Sequence, residues 1–102
     1  GHLPYQIGRL DRAYEMRPEA SKKISRKPSE YLKMFYFDTI THSSDALNYL
    51  INLVGAEQVM MGSDYPFDMG YERPTELVDE SNLSETEKNK IKYDNAKRLF
   101  QI

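Results

Sequence analysis

The sequence predicts an α/β fold with parallel strands that forms the last part of a larger domain. Residues 34–42 and 59–61 are short segments rich in apolar, aromatic or β-branched side chains, which is typical of buried strands. The amphipathic stretch between them predicts a helix, and strands joined by a crossover helix run parallel. An open sheet of so few strands leaves edges and a face uncovered, whereas a closed (β/α)₈ barrel typically needs about 250 residues. The 102 residues therefore fit the closing segment of such a domain.

Composition indicates one small globular domain and excludes several kinds of partner. Hydrophobic residues make up 39% and charged residues 29% of the chain, a balance typical of folded proteins. The formal net charge of -2 gives no attraction to nucleic acid or to an anionic membrane surface. Without cysteine there is no disulfide, thiolate metal site or cysteine nucleophile. No apolar run approaches the roughly 20 residues of a membrane span, and no signal peptide is visible, so we expect a cytoplasmic protein.

The first elements are a loop and a helix that carries arginines. Residues 1–8 predict a loop, and the i, i+3, i+4 spacing of apolar residues in 9–15 predicts a helix. Three arginines, Arg9, Arg12 and Arg17, lie in or beside this helix. They suit either a solvated face or bidentate binding of a carboxylate ligand, for which the planar guanidinium is better shaped than a lysine ammonium. The residues alone leave both interpretations open.

A basic loop leads into the first predicted strand. Residues 21–28 are the most basic stretch and predict a solvated surface loop, followed by one helical turn at 28–33. Apolar residues are nearly continuous in 34–42 up to Asp38, which predicts a strand buried on both faces. His42 ends this strand, where it is either a hydrogen-bonded turn residue or a metal ligand.

A helix and a second strand then lead to an acidic turn. Residues 43–45 supply N-cap side chains, the apolar stripe of 46–54 predicts a helix lying on a sheet, and Gly55 fits its C-cap. The strand at 59–61 is broken by glycine and serine, and Asp64 stands where the chain turns. A carboxylate at the end of a buried strand suits a metal ligand or a general base. It equally suits a cap that bonds to the backbone of its own turn.

Helical segments close the chain. Residues 69–79 predict a loop and a short helical turn entered at Pro74. Ser84 and Glu87 have the spacing of a capping box. A continuous helix is predicted from there to about Phe100.

Four motifs carry a resemblance to a known family: Pro4-Tyr5-x-x-Gly8-Arg9, Phe35-Tyr36-x-Asp38-Thr39-x-x-His42, Gly62-Ser63-Asp64-Tyr65-Pro66-Phe67 and Asn95-Ala96-x-x-Leu99-Phe100. Their order and spacing resemble the C-terminal part of the amidohydrolase superfamily, in the branch of aminocarboxymuconate-semialdehyde decarboxylase and the resorcylate-type decarboxylases. The resemblance implies that residues 1–102 are a C-terminal fragment, about the last three βα units, of one metal-dependent-hydrolase-type TIM (β/α)₈ barrel. It also implies a zinc enzyme, with manganese in some relatives, that removes carbon dioxide from an aromatic or muconate-type carboxylic acid.

The resemblance assigns roles to four residues. Asp64 matches the family's metal-binding aspartate, which implies a metal ligand and a catalytic residue. Arg9 matches an arginine that reaches the substrate carboxylate and can do so in the neighbouring subunit's site. This implies a homodimer. Arg17 matches a second arginine of that region, and Phe67 matches a residue close to the substrate pocket. The resemblance gives His42 no role in the chemistry.

The family's other metal ligands have no counterpart in this chain. Its His-x-His pair, a later metal histidine and the catalytic histidine of a His-Gly-Gly-Gly turn would precede Gly1, and His2 takes a position where the family varies. One carboxylate does not hold a catalytic zinc, which usually has three protein ligands. We therefore expect the fragment to be inactive alone; its start at Gly1 fits a tag scar, a processed chain or a fragment. Two alternatives stay open: a hydrolase or hydratase on the same fold, and a non-catalytic remnant in which Asp64 only caps a turn.

Overall fold

The computed structural model describes all 102 residues, which divide into two units, Gly1–Phe35 and Tyr36–Ile102. The first unit is helical and holds α1 (Leu3–Met16), α2 (Pro18–Ser21) and α3 (Pro28–Leu32). The second unit holds β1 (Phe37–Asp38), α4 (Ser44–Val54), β2 (Val59–Met60), α5 (Pro74–Asp79), α6 (Glu85–Asn89) and α7 (Asn95–Phe100). A 3₁₀ turn at Ala56–Gln58 precedes β2, and a π-helical turn at Lys90–Asp94 joins α6 to α7. None of these helices combines the length and the apolar character that a membrane crossing requires.

Helix α1 begins earlier than the sequence predicts. The predicted loop over residues 1–8 is wrong, because the helix starts at Leu3. Pro4 is compatible with this start, since the first N–H groups of a helix have no partner within it and the missing N–H of proline costs nothing there. Pro4 and Ile7 are the buried residues of the helix. Burial of this first stretch therefore favours helix where the local pattern predicts a loop.

Two carboxylates of α1 hold the start of α3. The backbone N–H of Ser29 donates a hydrogen bond of 2.8 Å to Asp11 Oδ1, which satisfies one of the unpartnered N–H groups in the first turn of α3. Hydrogen bonding by Ser29, through its side chain first and its backbone N–H second, lowers the pKa of the Asp11 carboxyl below its ordinary value. Glu15 forms an ion pair with Lys27, the residue that precedes α3. Polar contacts between residues distant in the sequence thus join α1 and α3.

The two strands pair in parallel, as the βαβ pattern predicts. Phe37 lies opposite Val59 and Asp38 lies opposite Met60, with α4 as the crossover between the strands. Val59 is fully buried. The predicted parallel arrangement is confirmed, and with it the common edge at which both strands end.

The first strand is shorter and less buried than its sequence predicts. Of residues 34–42 only the two of β1 have strand pairing. The prediction of burial on both faces is wrong for the segment before them, since Met34, Phe35 and Tyr36 are exposed by 69%, 51% and 41%. A strand is defined by its partner, and β2 offers a register of only two residue pairs. The apolar character of residues 34–42 does not reveal that the strand is limited to two residues.

Helices α4 and α6 begin as predicted. The N–H of Ala46 donates to Ser43 Oγ at 3.2 Å, and Gly55 follows α4 with a φ of +90° that suits glycine. The backbone N–H of Glu87 donates to Ser84 Oγ at 3.2 Å, and the carboxylate of Glu87 accepts the N–H of Ser84 at 3.3 Å, which confirms the capping box. Helix α4 buries one face, consisting of Leu47, Leu50, Ile51 and Val54. Burial stabilises the fold by about 1.5–3 kcal/mol for each such side chain.

The predicted continuous final helix is interrupted by the π-helical turn at Lys90–Asp94. The N–H of Asn95 donates to the carbonyl of Lys90 instead of that of Ile91. The Ile91 carbonyl accepts a hydrogen bond of 2.9 Å from the N–H of Met61, the residue after β2. The irregular turn therefore provides the acceptor that ties the end of β2 to the helix.

The side chain of Asn95 makes a second tie between the helix and β2. Asn95 is completely buried. Its Nδ2 donates to the carbonyl of Ala56 at 2.7 Å and to the carbonyl of Val59 at 2.8 Å. On the exposed side of α7, Arg98 donates to the carbonyl of Glu57 at 2.9 Å. The segment that leads into β2 is thus held by hydrogen bonds from a buried side chain and from an exposed side chain of α7.

Candidate active site

The candidate site lies at the edge where β1 and β2 both end. β1 is followed by residues 39–43, which include His42, and β2 is followed by the Asp64 loop, defined here as residues 62–71. The predicted metal ligand Asp64 and the predicted pocket residue Phe67 both belong to this loop. Loops at the C-terminal ends of parallel strands carry the functional groups of α/β enzymes.

Asp64 begins a tight turn and keeps its carboxylate free. Its φ is +58°, a conformation that aspartate adopts more readily than most residues. The N–H of Phe67 donates to its carbonyl at 2.9 Å, and the N–H of Tyr65 donates to Ser63 Oγ at 3.3 Å; the Tyr65–Pro66 peptide bond is cis. The exposed carboxylate takes part in no hydrogen bond or ion pair. The turn is closed without it, so the carboxylate is not the turn cap and is available to a ligand.

The rest of the Asp64 loop folds closely on itself around Gly70. The N–H of Tyr71 donates to the Ser63 carbonyl at 2.7 Å, and the N–H of Gly70 donates to the Phe67 carbonyl at 2.9 Å. A Cβ atom on Gly70 would lie 2.6 Å from the Ser63 carbonyl oxygen and 3.0 Å from that of Phe67. Backbone oxygens do not move aside as a flexible side chain does, so only glycine fits. The sequence pattern does not single out Gly70, because a glycine in an aperiodic loop carries no specific signal.

Two side chains from the end of β1 hold the Asp64 loop. His42 Nε2 lies 2.6 Å from the Met69 carbonyl oxygen; because a carbonyl only accepts, the ring nitrogen donates. The His42 ring is stacked on Tyr71, with centroids 4.7 Å apart and planes inclined by 15°. The N–H of Gly62 donates to the hydroxyl of the buried Thr39 at 3.3 Å. The structure therefore shows His42 as a hydrogen-bonded turn residue, which was one of its two interpretations.

Apolar side chains stand exposed beside the free carboxylate. Tyr65 is 87% exposed, and Phe67 and Met69 are each 70% exposed. Phe67 is bonded to Asp64 through its backbone N–H only, so its ring is open to solvent. The structure thus brings Phe67 into the same turn as Asp64, with its ring accessible to a bound molecule.

The two predicted carboxylate-binding arginines lie in the first unit. Arg9 is exposed on α1 and forms no ion pair. Arg17 follows α1 and pairs with Glu19 at 3.4 Å, with 72% of its side chain exposed. Arg12 pairs with Glu15 at 3.7 Å. Arg9 is therefore the guanidinium of this helix that is most open to an external carboxylate.

The chain offers a metal one free carboxylate rather than a complete ligand set. No group of three or more histidine, cysteine, aspartate or glutamate side chains lies close enough to hold a metal ion. Asp64 fits a single anionic oxygen ligand, which both zinc and manganese accept. A catalytic zinc site usually has three protein ligands. The residues present therefore fit one part of a divalent metal site.

Comparison with known proteins shows which proteins this chain resembles. The family model described as amidohydrolase matches residues 1–102. A 2-amino-3-carboxymuconate-6-semialdehyde decarboxylase from Dictyostelium discoideum is 35% identical over 98 residues, which cover 94% of this chain and 27% of the relative. One from Caenorhabditis elegans is 29% identical over 104 residues, which cover 100% of this chain and 26% of the relative. The chain thus spans about a quarter of the length of these curated relatives.

Solved structures share the fold. A 5-carboxyvanillate decarboxylase from Sphingomonas paucimobilis matches with a TM-score of 0.83 and 28% identity, over 99% of this chain and 31% of that chain. A dihydroxybenzoic acid decarboxylase from Polaromonas sp. JS666, solved with bound manganese and the inhibitor 2-nitroresorcinol, matches with a TM-score of 0.82 and 25% identity, over 98% and 31%. The chain has the fold of about 31% of such a TIM barrel, which confirms the predicted fold class.

Proposed function

The chain belongs to the amidohydrolase family, and we propose that it forms the C-terminal part of a metal-dependent decarboxylase. The substrate is an aromatic or muconate-type carboxylic acid, which loses carbon dioxide. The similar proteins support this proposal, since they are named as decarboxylases of such acids. The observation that carries it is the free carboxylate of Asp64 at the C-terminal edge of a parallel strand pair. TIM-barrel enzymes place their functional groups at this edge.

An uncovered apolar surface of the second unit supports its place within a larger barrel. An open groove of about 340 Å³ is lined by both strands and α7, with Tyr36, Met60 and Phe100 among its residues. Tyr36 is 41% exposed and Phe100 is 63% exposed. Covering a large apolar side chain stabilises a fold by about 1.5–3 kcal/mol. We infer that residues 1–102 belong to one barrel domain whose further strands pack against this groove.

Asp64 is proposed as one ligand of a divalent metal, zinc or manganese. A decarboxylase of similar fold holds manganese, and the exposed Asp64 carboxylate has the charge and freedom that such an ion requires of a ligand. The remaining ligands come from outside these residues, because the chain has no group of three or more histidine, cysteine, aspartate or glutamate side chains that could hold a metal ion. When bound, such a metal polarises substrate oxygens and acidifies water.

The side chains of the chain itself bind and orient the acid. Arg9 offers two parallel N–H donors to the substrate carboxylate. This positions the substrate, and a misplaced substrate reacts much more slowly. Arg17 provides a second cation when it leaves Glu19. The Phe67 ring covers the flat, apolar part of the substrate. The bond between the substrate carbon and the carboxyl group breaks, carbon dioxide leaves, and the electron pair stays on that carbon; Asp64 takes a proton from water and passes it to the carbon, which is general acid–base work.

Replacing Asp64 tests the proposal. In the complete natural protein we expect Asp64→Asn, which keeps the shape but removes the charge, to weaken metal binding by about a hundredfold or more and to abolish carbon dioxide release. Asp68→Asn is the matched control, because Asp68 is another exposed carboxylate of the same loop. Metal content is measured by mass spectrometry and carbon dioxide release with the acids named for the relatives. Full metal content in Asp64→Asn, or hydrolysis without carbon dioxide release in the unaltered protein, contradicts the proposal.

Arg9 is proposed to act across a homodimer. Arg9→Ala and Asp64→Ala are each expected to be inactive, while an equal mixture that exchanges subunits recovers about a quarter of the activity, because one site in each mixed dimer keeps both residues. Arg12→Ala, on the same helix, is the control and keeps its activity. No recovery in a mixture that demonstrably exchanges subunits would place Arg9 outside the neighbouring site.

A further inference from the structure

The geometry points to His42 as a positioning residue for Asp64, acting by holding the Asp64 loop against the end of β1. This inference rests on the proposed function, because it takes Asp64 to be a metal ligand. His42 itself stays outside the ligand set: its Nε2 is engaged by the Met69 carbonyl.

The His42 side chain makes two contacts with the Asp64 loop. Its Nε2 donates to the Met69 carbonyl at 2.6 Å. Its ring face lies on Tyr71, with centroids 4.7 Å apart and planes inclined by only 15°. A hydrogen bond fixes the distance of the ring from the backbone, and the stacked ring fixes its orientation. Together these contacts leave the outer half of the Asp64 loop little freedom to shift along β1.

The contact reaches Asp64 through one intermediate residue. The N–H of Tyr71 donates to the carbonyl of Ser63 at 2.7 Å, and Ser63 directly precedes Asp64. Thr39 anchors the base of the loop through the N–H of Gly62. The remaining hydrogen bonds of the loop join its own residues. His42 is thus the side chain that ties the outer half of the loop, rather than its base, to the preceding strand.

The backbone conformations of His42 and Asp64 support the inference. His42 has a φ of +53° and Asp64 a φ of +58°. Residues other than glycine keep such conformations only where the surroundings impose them, and they concentrate at functional sites. Here both residues belong to the segments that follow the C-terminal ends of two neighbouring parallel strands.

Metal affinity in the complete natural protein is the decisive measurement. Groups that orient a metal ligand without touching the metal typically contribute a factor of 10–100 to affinity, so we expect His42→Ala to raise the Kd for Mn²⁺ by about tenfold. His42→Gln keeps a donor for the Met69 carbonyl, and His42→Phe keeps the stacked ring, so each recovers part of the affinity. His2→Ala is the matched control, since His2 is exposed and its side chain makes no cap hydrogen bond.

Hydrogen exchange separates positioning from general stability. The Tyr71 amide should exchange faster in His42→Ala, while amides in the core of α4 keep their protection. Unchanged Mn²⁺ affinity in His42→Ala, or faster exchange throughout the chain, overturns the inference. If His42→Ala does not fold, the Gln and Phe variants decide it: each lacks one of the two contacts, so Mn²⁺ binding as tight as in the unaltered protein by both variants overturns the inference that the two contacts act together. Failure of the proposed function is distinguishable: Asp64→Asn then binds Mn²⁺ normally, while Tyr71 exchange still reports on His42.

Discussion

The buried amide of Asn95 allows a quantitative test of how the second unit is held together. Asn95→Ala removes both donors to the carbonyls of Ala56 and Val59, which lie 2.7 and 2.8 Å away. A buried acceptor left without its partner costs about 1–3 kcal/mol. The Ala56 carbonyl keeps the N–H of Val59 as a donor, so we count one orphaned acceptor and expect the free energy of unfolding to fall by about 1–3 kcal/mol.

Urea unfolding followed by circular dichroism measures this loss. Arg98→Ala is the matched control, because Arg98 lies on the same helix and donates at 2.9 Å to the carbonyl of Glu57 in the same connection. Arg98 is exposed, so water replaces the lost donor, and we expect a loss below about 1 kcal/mol. The difference between the two variants therefore reports the burial of Asn95 together with its one additional hydrogen bond.

A second substitution makes the reasoning refutable even if the alanine variant relaxes. Asn95→Asp has nearly the same shape but points a carboxylate at two carbonyl oxygens, so we expect it to be less stable at neutral pH than Asn95→Ala. Equal losses in Asn95→Ala and Arg98→Ala, or an aspartate variant more stable than the alanine variant, would refute the account of Asn95 as a buried double donor.

Further predictions concern the glycines and the first unit. Gly70→Ala should lower the thermal midpoint and weaken Mn²⁺ binding in the complete protein, because its Cβ would lie 2.6 Å from the Ser63 carbonyl oxygen; normal binding would contradict the packing argument. Gly8→Ala, where a Cβ meets nothing within 4 Å, should stabilise α1 by about 0.5–1 kcal/mol in urea unfolding. Asp11→Ala should cost about 1 kcal/mol at neutral pH through the lost cap on Ser29. Because hydrogen bonding by the side chain and the backbone of Ser29 lowers the folded-state pKa of Asp11, the stabilisation is present above the ordinary pKa and is lost as the pH falls through the lowered one. A stability difference between Asp11→Ala and the unaltered chain that persists in acid would contradict it.

Local signals sufficed for the elements that have sharp ends. Helix α4 begins after Ser43 and ends before Gly55, as predicted. Helix α6 begins at the capping box of Ser84 and Glu87, also as predicted. Each of these signals is a side chain or a glycine that acts within a few residues of itself. The parallel pairing and the placement of Asp64 at the edge of the sheet follow from the same local order of strand, helix and strand.

The remaining features depend on partners that are distant in the sequence. Residues 1–8 form helix because Pro4 and Ile7 are buried, which no local pattern shows. Strand β1 is limited by its register with β2, not by its own apolar length. His42 finds Met69 and Tyr71 across the sheet edge, so its role emerges only when the two loops are seen together. The roles predicted for Arg9, Arg17 and Phe67 stay predictions, since they concern a substrate.

The π-helical turn has a consequence for how many residues the final helix can contain. In an α-helix each residue advances the chain by about 100° and 1.5 Å. Deleting one residue between Ile91 and Asn95 would swing the amide of Asn95 to a different side of the helix and return the Ile91 carbonyl to its own backbone. Met61 would then lose its acceptor, one position before the Asp64 loop starts. The number of residues in a helix distant in the sequence is therefore part of what sets the position of the sheet edge that carries Asp64.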